Sequence, residues 1–163
     1  MSDRRAIGLV VLAVLGAAIS LDLAAFQLGL VGGVWDPLFG DGAQAVLTSP
    51  ISRALPVPDA LVGTAAYAVD ALLGLALVLR LGTGAIVAAV LAFVSVIGAL
   101  VGIGLAIAQP LVAHAGCTLC LTSTAVSVAL AIGAVAEARD RWPTGTIEAT
   151  AEDDRRADSR TAH

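Results

Sequence analysis

Apolar residues run along this chain in four long, almost unbroken stretches, and polar residues gather between them. The stretches cover about 6–32, 60–80, 85–108 and 112–136. Each is long enough to cross a hydrocarbon core of ~30 Å as a helix, which takes roughly 20 apolar residues. In lipid only helices and closed barrels satisfy every backbone group, and runs this long and this apolar are helices. The pattern predicts an all-α integral membrane domain, an antiparallel four-helix transmembrane bundle. The first run continues past Asp22 to about Gly32, too long for the core of a signal peptide, and no good cleavage site follows, so it is expected to be a retained span. The connections are unequal. Residues 33–59 hold the turn signals "WDP", "GDG", "TSP" and "PVP"; "LGTG" joins the second and third runs, and "QP" the third and fourth. Beyond the fourth run the chain is polar and mixed in charge, with too little apolar surface to fold alone. That divides it into a membrane domain, 1–138, and an expected disordered cytoplasmic tail, 139–163.

Composition agrees: 58% of residues are hydrophobic, 13% are charged, and the mean hydropathy is +0.93, against about 45–50% apolar and ~25% charged in soluble domains. The net charge of −4 says little about partners, because the charges lie at the ends and in loops. No basic stripe suggests nucleic acid. The arginines do set an orientation. With four spans both termini share a side, and Arg4, Arg5, Arg80, Arg139, Arg141 and three tail arginines lie there, against Arg53 alone on the other. The positive-inside rule then places both termini in the cytoplasm and the 33–59 loop outside a cell membrane.

Into this apolar background "HAGCTLCLTSTAVS", residues 114–127, sets the only two cysteines. By the orientation above they lie a turn or two below the outer surface, on the oxidising side, where disulfides persist. A Cys-x-x-Cys at a helix start puts both sulfurs on one face, a turn apart, able to close a small disulfide ring. The helix N-terminus favours the reactive thiolate, and Gly116 lets the chain bend or approach a partner closely. Such a pair can carry two electrons. A zinc site usually needs four ligands, and only His114 stands near, so no metal is expected. The plainer alternative is a pair of buried cysteines acting as small hydrophobes. His114 would favour the thiolate if protonated; its ordinary role is that of an interfacial polar residue. Asp22 and Asp70 fall inside spans, each about 15 Å from the outer end at 1.5 Å per residue. Intramembrane carboxylates tend to face the bundle interior. These two either approach each other and relay protons, or each is neutral and hydrogen-bonded as helix glue. Trp35 and Phe39 suit an interfacial aromatic belt or the cap of a pocket, Gly98, Gly102 and Gly104 suit close helix packing, and the role of Tyr67 is open.

"CTLCLTSTAVSVAL" in a last apolar span resembles the fourth helix of the vitamin K epoxide reductase family, four-helix membrane enzymes that pass electrons between thiols and a quinone. "VLTSPISRALPVPDALVGTAAY" is similar to the family's loop helix leading into its second span, and "FVSVIGA" to its third. The resemblance covers about residues 6–138. It implies a short extracytoplasmic loop helix over the active end of the bundle. It implies Cys117 and Cys120 as the catalytic pair, Cys120 facing a quinone of menaquinone or ubiquinone type and Cys117 exchanging disulfides with the electron donor. Asp59 stands where members often have an Asn that hydrogen-bonds one quinone carbonyl, and Thr124 where some have a Tyr that bonds the other. A carboxylate donates only when protonated. The family's second cysteine pair, in the first loop, is missing: within "WDPLFGDGAQAVLTS" Trp35 and Ala43 stand at those places. The implied function is a quinone-linked thiol–disulfide oxidoreductase supporting disulfide formation, with a separate extracytoplasmic thioredoxin-like protein as partner. The missing pair keeps open a non-catalytic membrane scaffold or quinone-binding subunit, and the thiol pair would equally serve a component delivering electrons to another enzyme's maturation.

Overall fold

Five helices follow one another in the computed structural model, which describes residues 2–50, 52 and 57–142. They are α1 (Ser2–Gln27), a short α2 (Gly42–Leu47), α3 (Asp59–Val78), α4 (Gly84–Ala108) and α5 (Thr118–Arg141). No strand occurs among the described residues. The four long helices are each long and apolar enough to cross a membrane, and the chain is a multi-pass membrane protein. Arg53 and the tail from residue 143 onward, on which two of the expectations above fall, lie outside the described residues.

The long helices form a ring in the order α1, α3, α4, α5, with the heaviest packing between α1 and α3 and between α4 and α5. Neighbours are antiparallel. Ser20 meets Gly63, Gly16 meets Tyr67 and Val10 meets Gly74, so one helix descends as the other climbs. Lipid tails are as apolar as leucine, so helices associate in lipid through close contact rather than through escape from water. The sequence supplies that contact with small residues. A Cβ on Gly16 would come within 2.4 Å of the Tyr67 ring. Leu9, Leu77, Leu91 and Leu130 interlock with Ala6, Ala13, Ala88 and Ala134. Next to this cluster, where the described chain begins and ends, Glu137 is 1% exposed and clamped by Arg141 at 2.6 Å and Arg5 at 3.7 Å. Arg5 also pairs with Asp140. Two cations offset the cost of taking the carboxylate out of water.

Two boundaries differ from the sequence pattern. The first helix stops at Gln27 rather than near Gly32. Gly29 adopts φ 73°, and the N–H groups of Leu28, Gly29 and Leu30 bond back to Ala24, Phe26 and Ala25, a glycine-based helix stop. "QP" does not end the third span. Pro110 lacks an N–H and its ring crowds the carbonyl four residues back. The chain answers by widening into one π-helical turn, Gln109–Ala113, and ends at His114 with φ 49°. The third span therefore runs Gly84–Ala113, and α5 begins at Thr118, not at 112.

Candidate active site at the thiol end

Three side chains satisfy the first backbone N–H groups of α5. Cys117 is the N-cap, and its Sγ accepts the Cys120 N–H at 3.1 Å. The Cys117 N–H donates to Gln109 Oε1 at 3.0 Å. The Thr118 N–H donates to Asp36 Oδ2 at 3.1 Å, and the Thr118 hydroxyl donates to Asp36 Oδ1. Asp36 also accepts the N–H groups of Leu38 and Phe39. Burial opposes the Asp36 charge. The hydrogen bonds from Thr118, Phe39 and Leu38 outweigh it and hold the carboxyl below its ordinary value of 3.8. A carboxylate at a helix N-terminus is also favoured by the helix dipole. Cys117 and Cys120 are joined in a disulfide, Cα atoms 5.2 Å apart.

Asp36 thereby fastens the first loop to α5 as a cover. Leu23, Val34, Ala43, Val46, Leu47 and Cys117 form one buried cluster beneath it. The approach is close: a Cβ on Gly42 would lie 2.2 Å from the Gly116 carbonyl oxygen, and one on Gly116 within 2.7 Å of the Phe39 ring. Cys117 is left with 0% exposure. Of the two positions where the family resemblance looked for loop cysteines, Ala43 is fully buried in the Cys117 cluster and Trp35 is 76% exposed.

On the other side of Cys120 a cavity of about 420 Å³ lies between α3, α4 and α5. Cys120, Asp59 and Thr124 all line it, and Cys117 does not. Val62, Ile97 and Val101 line it and are 50%, 46% and 58% exposed, so it opens at the bundle surface between α3 and α4. Its polar atoms are largely committed. Asp59 accepts from Gln27 Nε2, the Ser52 hydroxyl and the Ala60 N–H. The Thr124 hydroxyl has one proton, aimed at the carbonyls of Cys120 (2.9 Å) and Gly102 (3.2 Å). The Tyr67 hydroxyl donates to the Ser123 carbonyl at 2.6 Å and lies 2.6 Å from Ser127 Oγ, which supplies the role left open in the sequence.

Asp22 and Asp70 do not meet. Ser20, Leu23 and Ala24 point inward from α1, which turns Asp22 to the exposed face. Asp70 is 5% exposed, lines the cavity and accepts the Ser95 hydroxyl at 3.2 Å. Neither Trp35 nor Phe39 lines the cavity. Gly102 packs on Thr124, but a Cβ on Gly98 or Gly104 would meet nothing within 4 Å. Sequence reasoning missed Asp36, which "WDP" presented as a turn, and Gln109, which "QP" presented as a helix stop. A signal for the second was available: from Gly84 to Ala113 only Ser95 and Gln109 are polar, and polar residues kept inside a span face the protein.

A four-helix membrane bundle with a disulfide-forming pair beside a lipid-accessible cavity is the frame of a membrane thiol oxidoreductase. Residues 7–135 match the model of the vitamin K epoxide reductase family, and the chain belongs to that family. No curated protein and no solved structure matches the chain.

Proposed function

We propose that the chain passes two electrons between Cys117–Cys120 and a quinone of menaquinone or ubiquinone type. The observation that carries this is the asymmetry of the pair: Cys120 lines the cavity, while Cys117 lies outside it beneath the cover. A cavity of about 420 Å³ falls within the roughly 300–1,000 Å³ of small-molecule sites, and its largely apolar walls suit a ring with a lipid tail. When bound, the quinone supplies an acceptor for two electrons and two protons. The two thiols give these up as the Sγ–Sγ bond forms. The pair is reset by a thiolate of a separate thioredoxin-like protein, which attacks the disulfide through a mixed disulfide. Cys117 is the sulfur it attacks, and the cover must lift to admit it. In this scheme Asp59 and Thr124 are polar wall groups of the quinone site, and the chemistry belongs to the 1–138 domain. The arginine distribution supports cytoplasmic termini and an extracytoplasmic thiol end in the cell membrane.

The test is the redox state of the pair in native membranes, followed by mass-tagging of free thiols. The reduced pair is expected to reoxidise on quinone addition, and Cys120→Ser to abolish this. A pair that stays reduced with every quinone supplied refutes the redox function and leaves a structural bundle.

A further inference from the structure

Gln109 begins the π-helical turn after α4 and is 5% exposed. A backbone N–H can only donate, so the bond from Cys117 fixes which end of the Gln109 amide faces it: the oxygen. The NH2 group is turned the other way. It carries two donors, and among the described residues no acceptor is bonded to it. Gln109 lines both the large cavity and a smaller pocket of about 50 Å³, and Cys120 lines both as well. The residue is buried but its amide nitrogen reaches the open space of the cavity, and a donor held at a cavity wall by its own oxygen is already oriented.

We propose that Gln109 donates through Nε2–H to a carbonyl oxygen of the ligand in this cavity and so sets that ligand beside Cys120. This rests on the quinone reading above and names a residue that the family resemblance did not supply. A carbonyl oxygen needs a donor. Asp59 accepts three hydrogen bonds, the protons of Thr124 and Tyr67 are directed at backbone carbonyls, and the Ser123 and Ser127 hydroxyls lie 3.0 and 2.6 Å from the Tyr67 oxygen. Gln109 carries two N–H donors with no such partner among the described residues, beside Cys120. The same amide holds the Cys117 N–H, so the ligand is positioned against the thiol pair by a single rigid group.

The experiment measures equilibrium binding of a short-chain naphthoquinone to the oxidised protein in detergent, where no turnover intervenes. Gln109→Glu keeps an oxygen for the Cys117 N–H and replaces the donors with a second oxygen; Gln109→Leu removes both bonds. At neutral pH, Gln109→Glu is expected to weaken binding about tenfold; the new carboxylate is taken out of water without a cation, so the ligand-free variant also melts lower, and binding is read well below that temperature. Binding should recover as acid protonates the new carboxyl and restores a donor, while Gln109→Leu stays weak at every pH. Asp59 on α3, Asp36 in the cover and His114 in the connection are the titratable groups near this site. Asp70 and Tyr67 lie deeper along the cavity on α3, and Cys120 is held in the disulfide. All are common to both proteins, so the pH dependence is read as the difference between variant and wild type. Equal binding by wild type and both variants overturns the proposal, and a wild type that binds no quinone overturns it together with the quinone reading. If wild type binds and the variants respond as stated, but the reduced pair fails to reduce the quinone, the redox reading falls and the Gln109 assignment stands.

Discussion

At the end of the bundle that carries Arg5 and Arg141, the helices touch through alanine and glycine, and a buried glutamate is gripped by two arginines. At the thiol end the same four helices stand apart around a cavity, and the chain is held by side chains bonded to backbone N–H groups. The first end is fixed by contact, which has no substitute in lipid. The second is fixed by a few directional bonds, which hold a shape without filling it. Rigidity and room are thus separated along one helix axis.

The strongest way to break this contrast is Gly42→Ala. The new methyl would meet the Gly116 carbonyl oxygen, which has no side-chain freedom to yield. The cover should lift, at a cost of about 2–3 kcal/mol, and Cys117 of the reduced protein should be alkylated at least ~10-fold faster. An unchanged alkylation rate would show that the cover does not shield Cys117. At the other end, Arg141→Ala removes the guanidinium that lies 2.6 Å from the buried Glu137 carboxylate. Loss of a buried partner costs several kcal/mol, but Arg141 is partly exposed, so about 2 kcal/mol is expected. This should appear as a lower melting temperature with Cys117 still shielded. Should Cys117 become reactive, the two ends are not independent.

A smaller effect is expected from Asp36→Asn, about 1 kcal/mol, because one oxygen and its bonds survive while the charge at the helix N-terminus is lost. The carboxyl is held below its ordinary 3.8. Its contribution is therefore full above that value and fades as pH falls through the lowered folded-state value. Hydrogen-exchange protection of the Thr118 and Phe39 amides, corrected for intrinsic rates, should show this acid step in wild type and lose it in the variant. Smallest of all, Gly98→Ala adds a methyl where nothing lies within 4 Å. Stability should move by less than ~0.5 kcal/mol, and a large drop would mean that the cavity is tightly packed after all.

The spans, their antiparallel order and the thiol pair were legible in the sequence because each rests on a local property: a run of apolar residues, a charge count, a spacing. The ends of elements were less so. Pro110 reads as a stop, yet a helix can widen around a proline when the next turn has somewhere to go. Asp22 and Asp70 look alike in sequence, but helix phase sends one to the surface and the other to the cavity. Asp36 and Gln109 escaped notice for a related reason. Their partners lie 82 and 8 residues away, in the N-terminal turn of α5, and a partner is not a property of the residue that seeks it.

The pairing of Gln27 with Asp59 brings together the two helix ends from which the cover springs. A loop whose feet stand side by side makes few demands on its own length, since the entropy of closing it grows only with the logarithm of the number of residues. Sequence between those feet can be lengthened, shortened or exchanged without shifting the register of α1 or α3. Away from Asp36, Gly42 and the buried Ala43, Val46 and Leu47, the cover is in this sense free to change while the bundle beneath it stays as it is.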